Sequence, residues 1–343
     1  MDQCDISGEI FPCGAECMSL PGTLLRLVGM IMKETLVPTG ISGNAADRRK
    51  ERREQRTSIF EAERSRLNRL AYRMLGSLSD AEDVIQDAWL RWDAVEDDIG
   101  FPATYLTRIV TRLCLDRKKS AHAKRETYIG PWLPDPLIDF IWQDETFADD
   151  ITFTLMLAME RLSPLERAAF LLHDVFDVSL PEVAVTLERE PAAVRQLASR
   201  ARKHVQAARP RFIIKAAEAD RLARAFFTAA RDGDTARLSE ILAQDVQIHT
   251  DGGGKVLAFR NVVRGMEFAL RVFAAVRRKN APPPTLVRTV IIDGLPGYIS
   301  ADQGRALQTT ALEMQDGKIV AIYIVKNPDK LAHIWPSISE DDR

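Results

Sequence analysis

The chain runs to 343 residues, 46% hydrophobic and 28% charged, proportions that exclude a chain dominated by disorder and allow two or three separate cores. A formal net charge of −2 excludes a uniformly basic surface. It does not exclude contact with nucleic acid, because the local field and not the total governs approach to phosphate.

Residues 1 to 56 carry little pattern. Leu24 to Val37 is weakly apolar but interrupted by Arg26, Lys33 and Glu34, too short and charged to span a bilayer, and it lacks the basic start of a signal peptide. Asp47 to Arg56 is charge-dense and reads as a solvated lead-in, so the whole extension is expected to be disordered. Cys4, Cys13 and Cys17 have neither a histidine nor a fourth cysteine nearby, so no zinc site or other cofactor is expected. Sparse cysteine fits a reducing cytoplasm, and Cys114 reads as a small core residue.

From Thr57 to Leu75, the apolar residues Ile59, Phe60, Leu67, Leu70, Ala71, Met74 and Leu75 predict one amphipathic helix stopped at Gly76. Ser79 stands three residues before Glu82, the pattern of a reciprocal cap, and Val84, Ile85, Ala88, Trp89 and Trp92 continue at helical spacing. Asp80, Asp83, Gln86 and Asp87 project from the other side, as a solvated face or as a face for a protein partner. The sign then reverses. Between Tyr105 and Arg125 stand Arg108, Arg112, Arg117, Lys118, Lys119, Lys124 and Arg125, with Asp116 the only acid. Leu106, Ile109, Val110, Leu113 and Cys114 define the buried side, which leaves the cations and the hydroxyls of Thr107 and Thr111 for a phosphate backbone.

Ala71-Tyr72-Arg73-Met74-Leu75-Gly76-Ser77, Ala81-Glu82-Asp83-Val84-Ile85-Gln86-Asp87-Ala88 and Tyr105 to Asp116 resemble region 2 of bacterial sigma-70 family factors. The specific similarity is to the extracytoplasmic-function subgroup with a SnoaL-like C-terminal extension. The resemblance implies that Asp80, Asp83, Gln86 and Asp87 dock on the β′ clamp of core RNA polymerase, with the β flap as a further contact. It also implies that Arg108, Thr111, Arg112, Arg117, Lys118 and Lys119 engage the minus-ten element of promoter DNA. This first helical domain is expected to span 57–127.

A linker is expected over 128–149. Within Tyr128 to Leu137, three prolines and a glycine forbid a regular helix, yet Trp132, Leu133 and Leu137 are too apolar to leave in water. They either close the edge of the preceding domain or dock another one. Trp132-Leu133-Pro134-Asp135-Pro136-Leu137 matches the linker motif of the subgroup, which implies the second arrangement.

The second helical domain, 150–210, is punctuated by two further caps, Ser163-Pro164-Leu165-Glu166 and Ser179-Leu180-Pro181-Glu182. A short helix from Leu180 to Leu187, a break at Glu188-Arg189-Glu190 and a longer basic helix from Pro191 make a helix-turn-helix. Arg195, Gln196 and Ser199 lie near enough the helix start to reach base edges, while Arg200, Arg202 and Lys203 suit phosphate. Arg161 to Arg167 and Ala193 to Arg202 look like sigma region 4, the reader of the minus-thirty-five element.

From 212 to 335 helices give way to strands. Helices are expected over Ala216 to Ala230 and Asp234 to Leu242, and strands from Val246, over Val287 to Ile292, and on both sides of the hairpin signal Asp316-Gly317. The fold expected is multidomain: two all-α domains followed by an α+β cone-shaped barrel with a curved antiparallel sheet, and a tail at 336–343. This last domain resembles SnoaL-like domains. Asp251, Gly252, Gly253, Gly254 and Lys255, with Asn327, Pro328, Asp329, Lys330 and Leu331, match signature stretches of the subgroup. The resemblance implies that they face Trp132, Leu133, Pro134 and Asp135 of the linker and make the barrel a tethered regulator. A small-molecule ligand in the barrel is a further expectation. Two other readings stay open on the sequence: a ligand-responsive regulator using only the helix-turn-helix, and a cyclase or isomerase working through His249 and Asp251.

Overall fold

The computed structural model describes residues 45–126, 128–138, 152–206, 216–279, 282–302 and 306–337. The expectations for Cys4, Cys13, Cys17 and the apolar stretch Leu24 to Val37 lie outside them. Two compact units are present, 1–52 and 53–343. In the first, the described residues from Ala45 onward are helical, and those from Asp47 to Arg52 are exposed.

The first helix, α1 (Ala45–Leu75), therefore starts well before the expected Thr57, because Arg, Lys, Glu and Gln are good helix formers even without an apolar stripe. α2 (Leu78–Asp93) also starts differently from expectation. Its cap is Ser77, which accepts from the Asp80 N–H at 3.4 Å, and the Ser79–Glu82 pair is not used as a cap. α3 (Pro102–Glu126) completes the first helical part. In the second, α4 (Phe153–Met159), α5 (Pro164–Phe170), α6 (Leu180–Leu187) and α7 (Pro191–Val205) follow. Both expected caps are formed reciprocally, Ser163 with Glu166 and Ser179 with Glu182.

The two helical parts do not keep separate cores. Phe60, Leu70 and Met74 of α1, Ile85 and Trp92 of α2, and Val110 of α3 belong to one continuous buried cluster with Met156, Phe170, Val194 and Ala198.

The remaining elements are α8 (Ala216–Asp232), α9 (Thr235–Ile241), β1 (Leu242–Asp251), β2 (Val263–Arg264), α10 (Met266–Lys279), β3 (Thr285–Ile292), β4 (Leu295–Asp302), β5 (Ala306–Gln315), β6 (Lys318–Val325) and α11 (Pro328–Leu331). The sheet order is β2-β1-β6-β5-β4-β3. It is not wholly antiparallel: β1 and β6 run parallel, with Asp251 opposite Val325. The expected hairpin at Asp316-Gly317 is present, both residues having positive φ (51° and 75°) as a tight hairpin turn requires. A second hairpin of the same kind sits at Asp293-Gly294 between β3 and β4.

The two faces of this sheet bury different partners. Ile322 and Ile324 pack with Phe226 of α8 and Phe273 of α10. Ala321, Tyr323 and Val325, alternating with them along β6, pack with Leu133 and Ile138 of the linker and Phe153 of α4. Leu133 and Ile138 are fully buried, each stabilising the dock by about 2 kcal/mol.

Candidate functional site

The linker is clamped from both sides. Asp251, at the end of β1 and wholly inaccessible, accepts from the Tyr128 hydroxyl at 2.5 Å, the Leu133 N–H at 2.9 Å and the Gly253 N–H at 3.0 Å. The Lys330 ammonium lies 3.0 Å from the same carboxylate, donates to the Leu133 carbonyl, and sits 4.1 Å above the Trp132 ring. A buried cation over an indole face is worth about 2 kcal/mol. Asn327 caps α11 and donates to the Tyr128 hydroxyl at 3.0 Å. Gly253 has φ +61°, and a Cβ there would fall 2.3 Å from the Asn327 side chain, so glycine alone fits. Gly252 starts the turn, accepting from the Lys255 N–H at 3.0 Å, and Gly254 packs against Ile129. Lys255 pairs with Asp329 at 2.6 Å, tying the two signature stretches together, and Leu331 is buried beside Leu133.

On the other side, the linker docks on the first helical part. The Leu78 N–H donates to Asp135 at 2.8 Å, the Asp135 N–H donates to the Gly76 carbonyl at 3.0 Å, and the Tyr72 hydroxyl donates to the Asp135 carbonyl at 2.8 Å. Trp132 lies on Gly76, where an added Cβ would come within 2.6 Å of the ring. Pro134 and Pro136 are buried as well. Trp132 thus lies between Gly76 and Lys330, while Leu133 packs on the sheet.

Burial pushes the Asp135 carboxyl up to about 6, against the opposing pull of Lys330 and of the Leu78 N–H. A carboxyl whose folded value lies above its unfolded one binds more protons when docked. Its contribution is therefore most favourable in acid and is lost as pH rises from about 4 through about 6. Replacement of Asp135 by Asn is expected to raise thermal stability at pH 7.5, by an amount equivalent to about 2–3 kcal/mol, and to leave it little changed near pH 4. Thermal melts of both proteins across that range check this; parallel curves would refute it.

The acidic and basic helices meet. Arg117 of α3 pairs with Asp80 at 2.9 Å and with Asp83 of α2. Asp83, Gln86 and Asp87 are exposed, and Leu90, on the same helical face, is 61% exposed. Arg108 and Arg112 are partly exposed and Lys119 is exposed. Two expected DNA residues are placed otherwise. Thr111 is fully buried, its hydroxyl donating to the Thr107 carbonyl at 2.8 Å, and Lys118 is buried with its ammonium 3.3 Å from the Met74 carbonyl and 3.6 Å from Glu160. In this arrangement neither is presented to DNA, because the second helical part covers that side of α3.

Glu160, at the end of α4, also pairs with Arg167, whose Nε donates to the Arg73 carbonyl at 2.8 Å and whose side chain is entirely buried. Arg112 pairs with Glu188, the left-handed residue (φ +54°) in the turn between α6 and α7. On α7, Val194, Ala198, Ala201 and Val205 point inward, while Arg195, Gln196, Ser199, Arg200, Arg202 and Lys203 are all exposed. Arg202 is held by Asp174 at 2.6 Å.

His249 and Asp251 do not form a catalytic pair in the barrel. They lie on the linker-facing side of the sheet, His249 stacked 5.1 Å from Tyr323 and pushed down to about 4 by burial, while the cavity is lined by Ile248 and Thr250 of the same strand. The residues that sequence reasoning missed are Tyr72, Gly76, Tyr128, Glu160, Arg167 and Asp293. Asp293 accepts from the Leu137 N–H at 3.0 Å and its own N–H donates to the Leu137 carbonyl at 2.9 Å, so the second Asp-Gly hairpin is also a dock.

Two helical parts, an exposed helix-turn-helix and a folded α+β domain that clamps the connection between them define a DNA-binding protein of several modules. Sigma-70 region 2 matches residues 59–124 and Sigma-70, region 4 matches residues 152–205. ECF RNA polymerase sigma factor SigJ of Mycobacterium tuberculosis is 36% identical over 289 residues, covering 80% of this chain and 92% of its own length. Probable ECF RNA polymerase sigma factor SigI of the same species is 30% identical over 281 residues, covering 80% and 94%. The crystal structure of SigJ superposes with a TM-score of 0.65 at 35% identity, covering 81% of this chain and 98% of that one. The chain belongs to the extracytoplasmic-function RNA polymerase sigma factors. It is a transcription initiation subunit, not an enzyme, and its partners are core RNA polymerase and promoter DNA. No helix among the described residues is long and apolar enough to cross a membrane.

Proposed function

We propose that the face formed by Asp83, Gln86, Asp87 and Leu90, flanked by Asp80, is the main polymerase contact, directed to the β′ clamp, and that the second helical part reaches the β flap. The observation that carries this reading is the 61% exposed Leu90 among acids on a helix whose other apolar side chains are buried or half-buried, since a large exposed apolar side chain inside a charged rim suits a protein partner. Arg108, Arg112, Arg117 and Lys119 serve the minus-ten element. Arg195, Gln196 and Ser199 read the minus-thirty-five element, and Arg200, Arg202 and Lys203 hold its phosphates. The barrel regulates access to these surfaces by holding the linker.

Reversing two charges, Asp83→Lys with Asp87→Lys, is expected to weaken binding to core polymerase about a hundredfold or more while costing about 1–2 kcal/mol of stability, because both side chains are exposed and only the surface pair of Asp83 with Arg117 is lost and reversed. Binding measured by fluorescence anisotropy with purified core enzyme tests it. Unchanged affinity would move the contact to another surface.

A further inference from the structure

Between the sheet and α10 lies a cavity of about 630 Å³, within the range of small-molecule sites. Its wall is apolar, with Ile248, Phe273, Tyr298 and Ile324, and its mouth carries Leu257 (88% exposed) and Phe268 (55%). Arg231, Arg271 and Arg277 also line it; the first two are already paired, with Asp232 and Glu267, and Arg277 is exposed at its edge. Lys326 differs. Its side chain lines the cavity, and among the described residues its ammonium has neither a hydrogen bond nor an ion pair; Asp302, which lines the same cavity, acts on it at longer range without pairing with it. Burial disfavours its charge and pulls its pKa down. A partly buried cation at the polar end of an apolar chamber is complemented by one anionic group on an apolar body.

The cavity wall is continuous with the clamp. The Lys326 N–H donates to the Asp251 carbonyl at 2.7 Å, Thr250 lines the cavity immediately before Asp251, and the Thr250 hydroxyl accepts from the Phe259 N–H at 2.8 Å. Phe259 lies on the cavity at the far end of the loop that starts with Gly252, and Gly254 of that loop rests on Ile129 of the linker.

We infer that this cavity binds a hydrophobic carboxylic acid, its carboxylate paired with Lys326 and its chain among the aromatic side chains, and that occupancy acts on the linker clamp through Thr250 and Phe259. The second clause rests on the reading of the barrel as a regulator; the first does not. Decanoate, decanol and the full chain suffice for a test by titration calorimetry. Decanoate is expected to bind saturably and at least tenfold more tightly than decanol. Lys326→Met should remove that preference without weakening decanol, and Lys326→Arg should restore it, each variant first being shown to melt like the parent. Absence of saturable binding, or equal affinity for acid and alcohol that Lys326→Met leaves unchanged, overturns the site. Promoter-dependent transcription with core polymerase then reads the coupling. Output that changes at saturating decanoate supports it, and unchanged output despite binding overturns the coupling and leaves the site standing.

Discussion

Replacing Asp251 by alanine is expected to release the linker from the barrel. The substitution removes three accepted hydrogen bonds and leaves the Lys330 ammonium buried without its carboxylate. Breaking one side of a buried ion pair costs about 3–5 kcal/mol, more than either partner contributes as a simple contact, because the remaining charge stays desolvated. Lys330→Ala should have a similar effect, and the double variant should lose far less than the sum, since no orphaned charge remains. Urea titration followed by tryptophan fluorescence gives the energies, with Trp132, beneath the Lys330 ammonium, one of five contributors to the signal. Additive losses would show that Asp251 and Lys330 act separately. The same variants, assayed for transcription with core polymerase, report whether the held linker restrains or assists initiation.

The second large effect is expected at Glu160. This carboxylate faces the fully buried Arg167 and, at 3.6 Å, Lys118, and it joins the two helical parts. Glu160→Ala leaves two cations in one apolar interface, with a loss of about 3–5 kcal/mol, whereas Glu160→Gln keeps an acceptor and loses less. The consequence concerns function as well as stability. Arg112 of α3 touches Glu188 in the helix-turn-helix, yet promoter elements named for positions ten and thirty-five lie roughly 25 base pairs, about 80 Å, apart along duplex DNA. On the proposed assignment of α3 and α7 to these two elements, one compact body is too short to reach both, and separation of the helical parts during initiation is the expected outcome. Glu160→Ala should therefore favour the open arrangement, seen as a larger radius of gyration in small-angle scattering of the free protein. An unchanged radius together with an unchanged melt would remove Glu160 from this role.

What could be read from the sequence was what is encoded within a few neighbouring residues. The caps at Ser163 and Ser179 and the helix-turn-helix from Leu180 to Val205 appear with the expected bounds, because capping and turn chemistry act over three or four positions. Ser79 misled because Ser77, two residues earlier, offers the same hydroxyl and sits next to the Gly76 turn. α10 carries a regular apolar stripe, Met266, Ala269, Leu270 and Phe273, that was there to be read. β4 was hidden by Pro296 and Gly297, which are tolerated only because the tertiary pairing with β3 and β5 holds them. The site was legible in part. The resemblance pointed to the linker and both signature stretches, but the dock at Asp293 joins residues 156 apart in sequence, and no local pattern announces it. The same holds for the common core of the helical parts, which buries Lys118 and Thr111 on a helix whose charge pattern alone turned them outward.

The parallel pairing of β1 with β6 has a consequence during synthesis. Asp251 emerges from the ribosome early, whereas β6, Asn327 and Lys330, which complete its surroundings, are among the last described residues. At ordinary translation speeds the helical parts exist for roughly ten seconds before the domain that clamps their linker can be assembled. Each newly made molecule thus passes through an interval in which its DNA-reading and polymerase-facing surfaces are present and the fastening is not.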